Sequence, residues 1–216
     1  MTTSLLVMRE YIRNFYVKYE EYAVPALKFL LALVSLLLIN GQLGYMSQIN
    51  GAAAVLIVSL ICSFMPKNFT LFAAASFVTL HLYEVSLECA GVAFVVFLLL
   101  FLLYFRFTPK GAVLVMITPL LFILRIPYAA PIVAGLLGSP LSAVTVACGV
   151  VTYYMIHYMS MNASLLTSAA ADSMLTSIRE ILDGIFGNRE MLIIAAAFAV
   201  TTILVYLVRK LSVDYS

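Results

Sequence analysis

His81, Glu84 and Glu88 are spaced i, i+3 and i+7 in a chain otherwise poor in charge. On one continuous helix the three side chains share a face. An imidazole beside two carboxylates is a set that binds a cation or relays protons. Arg125 is the only Lys or Arg between Gly111 and Tyr158. Its guanidinium keeps its charge at any physiological pH. Within a membrane it must snorkel to the interface or meet an anion, and Glu84 and Glu88 are the candidate anions. His81, Glu84, Glu88 and Arg125 are therefore the candidate residues of a substrate or ion path. The plainer alternative makes Glu84-Val-Ser-Leu-Glu88 an acidic turn that faces water or a partner. His157 stands beside Tyr153, Tyr154 and Tyr158, which read as an interfacial aromatic belt.

No complete catalytic signature accompanies these residues. The sequence has no GxSxG, no HExxH, no P-loop and no glycine-rich dinucleotide turn. Cys62, Cys89 and Cys148 lie in or beside apolar runs without CxxC spacing, so they read as small buried hydrophobes. No cofactor or metal is expected. An intramembrane enzyme built on His81, Glu84 and Glu88 ranks last among the functions considered.

The elements that must position these residues are apolar. The chain has 216 residues, 64% of them hydrophobic and 10% charged, against about 25% charged in an ordinary soluble domain. Between Phe29 and Ala171 the charged residues are Lys67, Glu84, Glu88, Arg106, Lys110 and Arg125. Such a chain cannot cover a core with polar side chains, which excludes a soluble enzyme. The net charge of +2 gives no footprint for nucleic acid. The expected class is an all-α, polytopic integral membrane bundle with the lipid bilayer as solvent. The first apolar run carries no cleavage pattern, so it is expected to stay as an anchor.

Eight apolar segments are visible: Val24–Asn40, Gly51–Met65, Phe69–Tyr83, Cys89–Phe105, Ala112–Leu124, Tyr128–Leu137, Leu141–Met159 and Met191–Val208. A perpendicular span needs about 20 residues, and several of these are shorter. Pro119, Pro127, Pro131, Gly135, Gly138 and Pro140 crowd one stretch, and proline interrupts helices. The expectation is seven or eight segments with a broken or re-entrant region near residues 118–140. With the N-terminus in the cytoplasm, nine Lys or Arg fall inside and three outside for either count. Residues 160–190 and the C-terminus change sides between the two counts. Phe64-Met-Pro-Lys67 and Phe107-Thr-Pro-Lys110 form a faint internal echo, such as tight basic turns also produce.

Two flanks are amphipathic. In residues 1–23, Met8, Tyr11 or Ile12, Phe15, Tyr19 and Tyr22 form one face of an interfacial or cytoplasmic helix. Asn162 to Gly187 reads as a second such helix, capped by Asn162 and stopped by Gly187, with Leu175, Ile178, Leu182 and Ile185 along one stripe and Met174 and Ile181 beside it. That stripe must bury itself on the bundle or on a partner subunit.

The expected organisation is an amphipathic helix over 1–23, a transmembrane bundle over 24–159, an extramembrane amphipathic helix over 160–190, a final transmembrane helix over 191–208 and a tail over 209–216. The expected function is a non-catalytic, permease-like membrane subunit of a transport or secretion system in the cell membrane. Partner subunits would meet it through residues 1–23 and 162–187. The alternative is a membrane scaffold without a transport path.

Overall fold

The computed structural model describes residues 7, 19–109, 111–169 and 174–211 of the chain. All regular structure among them is helical. The helices are α1 (Glu20–Gln42), α2 (Ala52–Phe64), α3 (Lys67–Val85), α4 (Leu87–Phe107), α5 (Ala112–Ile123), α6 (Ala129–Leu137), α7 (Ser142–Met161), α8 (Ala163–Ala169), α9 (Met174–Phe186) and α10 (Arg189–Leu211). Among the described residues, α1, α4, α7 and α10 are long and apolar enough to cross a membrane. Apart from Val7 and residues 19–23, the flank expected over residues 1–23 lies outside the described residues.

Helix limits follow local chemistry. Ser86 is extended, and its side chain accepts from the Cys89 backbone N–H at 3.1 Å. That bond caps α4 and ends α3 at Val85. Asn188 Oδ1 accepts from the Met191 N–H at 3.2 Å and caps α10 in the same way. The non-helical residues between α6 and α7 include Gly138, Ser139 and Pro140. Pro140 has no backbone N–H to give a helix. A side chain on Gly138 would meet Ser142 Oγ and the Ala134 carbonyl.

Hydrogen bonds between helices define two ends of the bundle. At the first, Lys28 Nζ donates to the Met65 carbonyl at 3.0 Å, and the Tyr104 hydroxyl donates to Asn68 Oδ1 at 3.0 Å. The Thr108 and Thr145 hydroxyls pair at 2.7 Å, and Arg209 Nη1 donates to the Leu136 carbonyl at 2.6 Å. At the second, Ser160 Oγ donates to the Gln42 carbonyl at 3.0 Å and the Tyr45 hydroxyl donates to the Ser160 carbonyl at 3.2 Å. The start of α1 and the end of α10 thus belong to the Lys28 end, and α9 lies toward the Gln42 end.

Small residues let helices approach closely. A Cβ on Gly149 of α7 would come within 2.5 Å of Thr118 Cβ on α5. A Cβ on Gly135 of α6 would come within 2.8 Å of the Thr202 carbonyl on α10. Membrane helices lack a hydrophobic drive to associate and rely on such backbone proximity.

The second flank departs from its expected form. The Asn162 side chain serves the preceding helix rather than the one that follows. Its Nδ2 donates back to the Tyr158 carbonyl at 2.8 Å, closing α7. Of the expected single helix, the described residues give the stretches α8 and α9, and residues 170–173 lie outside those described. The buried face of α9 is centred on Ser177, Ile181 and Ile185, with Ile178 and Leu182 beside it. Leu175, expected on the stripe, is 80% exposed. The physical reason is the partner surface. Ile181 and Ile185 pack into the cluster of Leu82, Cys89, Val92, Met155 and Met159, which selects a face rotated from the one periodicity alone picks. Gly187 does end α9, its N–H bonding to the Asp183 carbonyl at 2.8 Å.

Candidate functional site

His81 is fully buried on α3, one turn before the helix ends. Its Nδ1 accepts from the Met46 backbone N–H at 3.2 Å, and its Nε2 lies 2.8 Å from Asn40 Oδ1. Asn40 Nδ2 donates to the Ile49 carbonyl at 3.2 Å. The chain of donors is unambiguous. A carbonyl only accepts, so Asn40 turns its amide nitrogen to Ile49 and its oxygen to His81. The Met46 N–H only donates, so Nδ1 carries no proton. The imidazole is therefore neutral, with its proton on Nε2. Both ring nitrogens are occupied, and neither is free to ligate a cation or to pass a proton. The result is a latch: α1 and α3 together hold the loop of residues 43–51 that leads into α2.

The other candidates lie elsewhere. The helix break at Ser86 puts Glu88 on the first turn of α4, so His81, Glu84 and Glu88 do not share one continuous helical face. Glu84 is exposed and Glu88 is half-buried. Among the described residues the one ion pair joins Arg179 and Asp183 at 3.8 Å, both exposed on α9. Arg125 has no carboxylate at salt-bridge distance there. It is exposed, in the turn between α5 and α6, with φ of +60°. The Arg125 N–H bonds to the Phe122 carbonyl at 3.0 Å, and the Ile126 N–H bonds to the Leu121 carbonyl at 2.9 Å. This pair of bonds is the left-handed helix stop usually built on glycine. Arginine is strained there, and its charge beside the carbonyl end of α5 is favourable.

The expected tyrosine belt is part of a larger aromatic group. Phe122 stacks on Tyr153 with ring centres 4.5 Å apart, and Tyr153 stacks on His157 at 5.6 Å. Phe198 of α10 joins Phe122 at 5.7 Å and Tyr128 at 6.0 Å.

The interior offers little for chemistry. A cavity of about 70 Å³ lies between α1, α3, α4, α5 and α7. Its walls are apolar, among them Leu71, Val78, Phe97, Met116 and Ile156. Thr118 packs on Gly149, its hydroxyl donating to the Leu114 carbonyl at 2.8 Å. Ser35, Ser59, Thr152 and Thr202 likewise bond to carbonyls four residues back. Among the described residues no buried side-chain nitrogen or oxygen lacks a hydrogen-bond partner. None of them form a group of three His, Cys, Asp or Glu able to hold a metal ion.

No protein-family model, no curated protein and no solved structure matches this chain.

The sequence reading missed the His81 pairing. Asn40 is legible as a polar residue that a midplane cavity would use, not as the partner of His81, and the Met46 N–H carries no sequence signal at all. The one available clue was that Asn40 and His81 are both polar residues in apolar segments, and buried polar groups in such segments must find partners.

Proposed function

We propose that this chain is a non-catalytic, multi-pass membrane subunit of a transport or secretion system. The observation that carries this reading is the saturated interior. Among the described residues the buried polar side chains are satisfied within the chain, and the central cavity is apolar. A subunit of that kind supplies packing surface and membrane anchorage, while a polar path or a reaction centre belongs to a partner. The candidate path residues Glu84, Glu88 and Arg125 are then surface charges that a partner meets. Residues 1–23 and the exposed side of 162–187, which carries Leu175, Arg179, Glu180 and Asp183, are the proposed contact segments.

The proposed topology counts α1 to α7 and α10 as eight passes or part-passes of the cell membrane. Helices α5 and α6 form a short hairpin. At 1.5 Å per residue they reach only about 18 Å and about 14 Å, against a hydrocarbon core of about 30 Å. The Arg209–Leu136 bond supports an even count, because it sets the end of α10 beside the end of α6. Among the described residues, Lys28, Arg106, Arg209 and Lys210 lie toward that end, and Arg125, Arg179 and Arg189 toward the other. The more basic end is then cytoplasmic. Cysteines introduced at the exposed positions Leu175 and Lys210 should react with an impermeant maleimide from opposite sides of the membrane. Reaction of both from one side would remove the even count.

The function is tested in two arms. The purified chain, reconstituted alone, should pass neither ions nor small polar solutes. A tagged copy extracted in mild detergent should bring down a membrane or ATPase subunit in fixed stoichiometry, and Leu175→Glu should weaken that complex. Solute uptake by the chain alone, or a chain that stays solitary in every mild detergent, would overturn the reading. The same apolar interior favours a scaffold as the second reading, which a complex with no transport or secretion component would select.

A further inference from the structure

A second cleft, of about 630 Å³, lies between α5 and α6 at the Lys28 end of the bundle. It exists because the two helices of the hairpin are held by different neighbours. Thr118 seats α5 against Gly149 of α7, while Gly135 seats α6 against Val205 and the Thr202 carbonyl of α10. The walls are apolar: Leu114 and Ile117 from α5, Val133 and Leu137 from α6. Thr108, Ser139 and Ser142 add hydroxyls to the lining. The volume falls within the range of about 300–1,000 Å³ of small-molecule sites.

Arg209 brings a positive charge to the side of the cleft. Arg209 donates to the carbonyl of Leu136, the residue next to the wall residue Leu137. Arg106 precedes Phe107, which also lines the cleft. No Asp or Glu occurs anywhere between Glu88 and Asp172, so no acid of α5, α6 or α7 offsets these guanidiniums. Apolar walls and a guanidinium held beside them match one kind of occupant. Basic recesses between membrane helices take anionic lipid headgroups.

We propose that the cleft between α5 and α6 binds one anionic phospholipid, an acyl chain lying between Leu114, Ile117, Val133 and Leu137 and the phosphate facing Arg106 and Arg209. The proposal rests on the membrane placement of the chain and not on the system it serves. Arg209 gains a counter-charge while it keeps its bond to Leu136. The lipid closes the open side of a hairpin that the protein alone leaves unfilled.

Native mass spectrometry of the full chain in detergent tests this, with phosphatidylglycerol or phosphatidylcholine added. One phosphatidylglycerol should be retained, preferred over phosphatidylcholine by about fivefold or more. Arg106→Gln with Arg209→Gln should abolish the preference, and Val133→Trp should block retention of either lipid. Leu98→Trp, on an exposed position of α4, should change nothing. In the unmodified protein, raising the salt concentration about tenfold should weaken retention, because it screens the headgroup contact. That measurement stands even if a variant fails to fold. Equal retention of both lipids, salt-independent retention, or unchanged retention in folded Val133→Trp would overturn the proposal.

Discussion

Gly135→Ala should destabilise the folded chain by about 1–3 kcal/mol, and Gly135→Leu should abolish monodisperse protein in detergent. The new Cβ would lie 2.7 Å from Val205 Cβ and 2.8 Å from the Thr202 carbonyl oxygen. Val205 could turn, but the carbonyl belongs to the backbone of α10 and moves only with the helix. The substitution therefore pushes α6 off α10, and with it the wall that holds Leu137 and the Arg209 bond. Gly91 supplies the control. It lies within α4, and a Cβ there would meet nothing within 4 Å. Gly91→Ala should stabilise by about 0.5–1 kcal/mol, the ordinary gain on replacing glycine in a helix. Thermal unfolding midpoints and size-exclusion profiles of the three variants check this. Equal midpoints for Gly135→Ala and the unmodified chain would show that the α6–α10 contact is looser than the geometry states.

His81→Ala should cost about 2–4 kcal/mol, the lower part of the about 2–6 kcal/mol for two groups left without partners at about 1–3 kcal/mol each, because the Met46 N–H is only part-buried. Asn40 Oδ1 and the Met46 N–H both lose their hydrogen bonds. The effect should also be local. Amide exchange in residues 43–51 should accelerate, because the loop loses its tie to α3 while the helices keep theirs. Asn40→Ala should produce the same loop signature, and the double variant should fall short of additivity by about 0.5 kcal/mol or more. Full additivity would mean that the two side chains act separately. Glu84→Gln, at an exposed position, should leave the loop unchanged. If Glu84→Gln accelerated exchange as strongly as His81→Ala, the carboxylate would belong to the latch.

These two cases show how legibility divides. Gly138 and Pro140 mark a helix end because proline has no N–H to give and a Cβ on Gly138 would meet Ser142. Both are local facts. Ser86 as a cap is equally local, although the i, i+3, i+7 spacing of His81, Glu84 and Glu88 obscures it. Periodicity alone treats the run as one helix, whereas the cap starts a new one. The stripe on α9 is legible in kind but not in phase. Leu175 and Ile185 are equivalent to a periodicity count, and only the cluster of Leu82, Cys89 and Met159 chooses between them. Arg125 is the least legible. No residue preference places arginine in a left-handed turn, and the reading as a deep charge seeking Glu84 or Glu88 missed an end that α5 makes for its own backbone.

By itself, the sequence determined what the chain dissolves in and roughly where its helices stop. Transfer energies and backbone preferences are sums over neighbouring residues, and scarce charge over Phe29–Ala171 leaves a bilayer as the remaining solvent. The tertiary structure decided which polar groups meet. Low dielectric requires that Asn40, His81, Thr108 and Thr145 each find a partner, but it does not say which. That choice depends on helix crossings set by residues as far apart as Gly135 and Thr202, and no local window contains both.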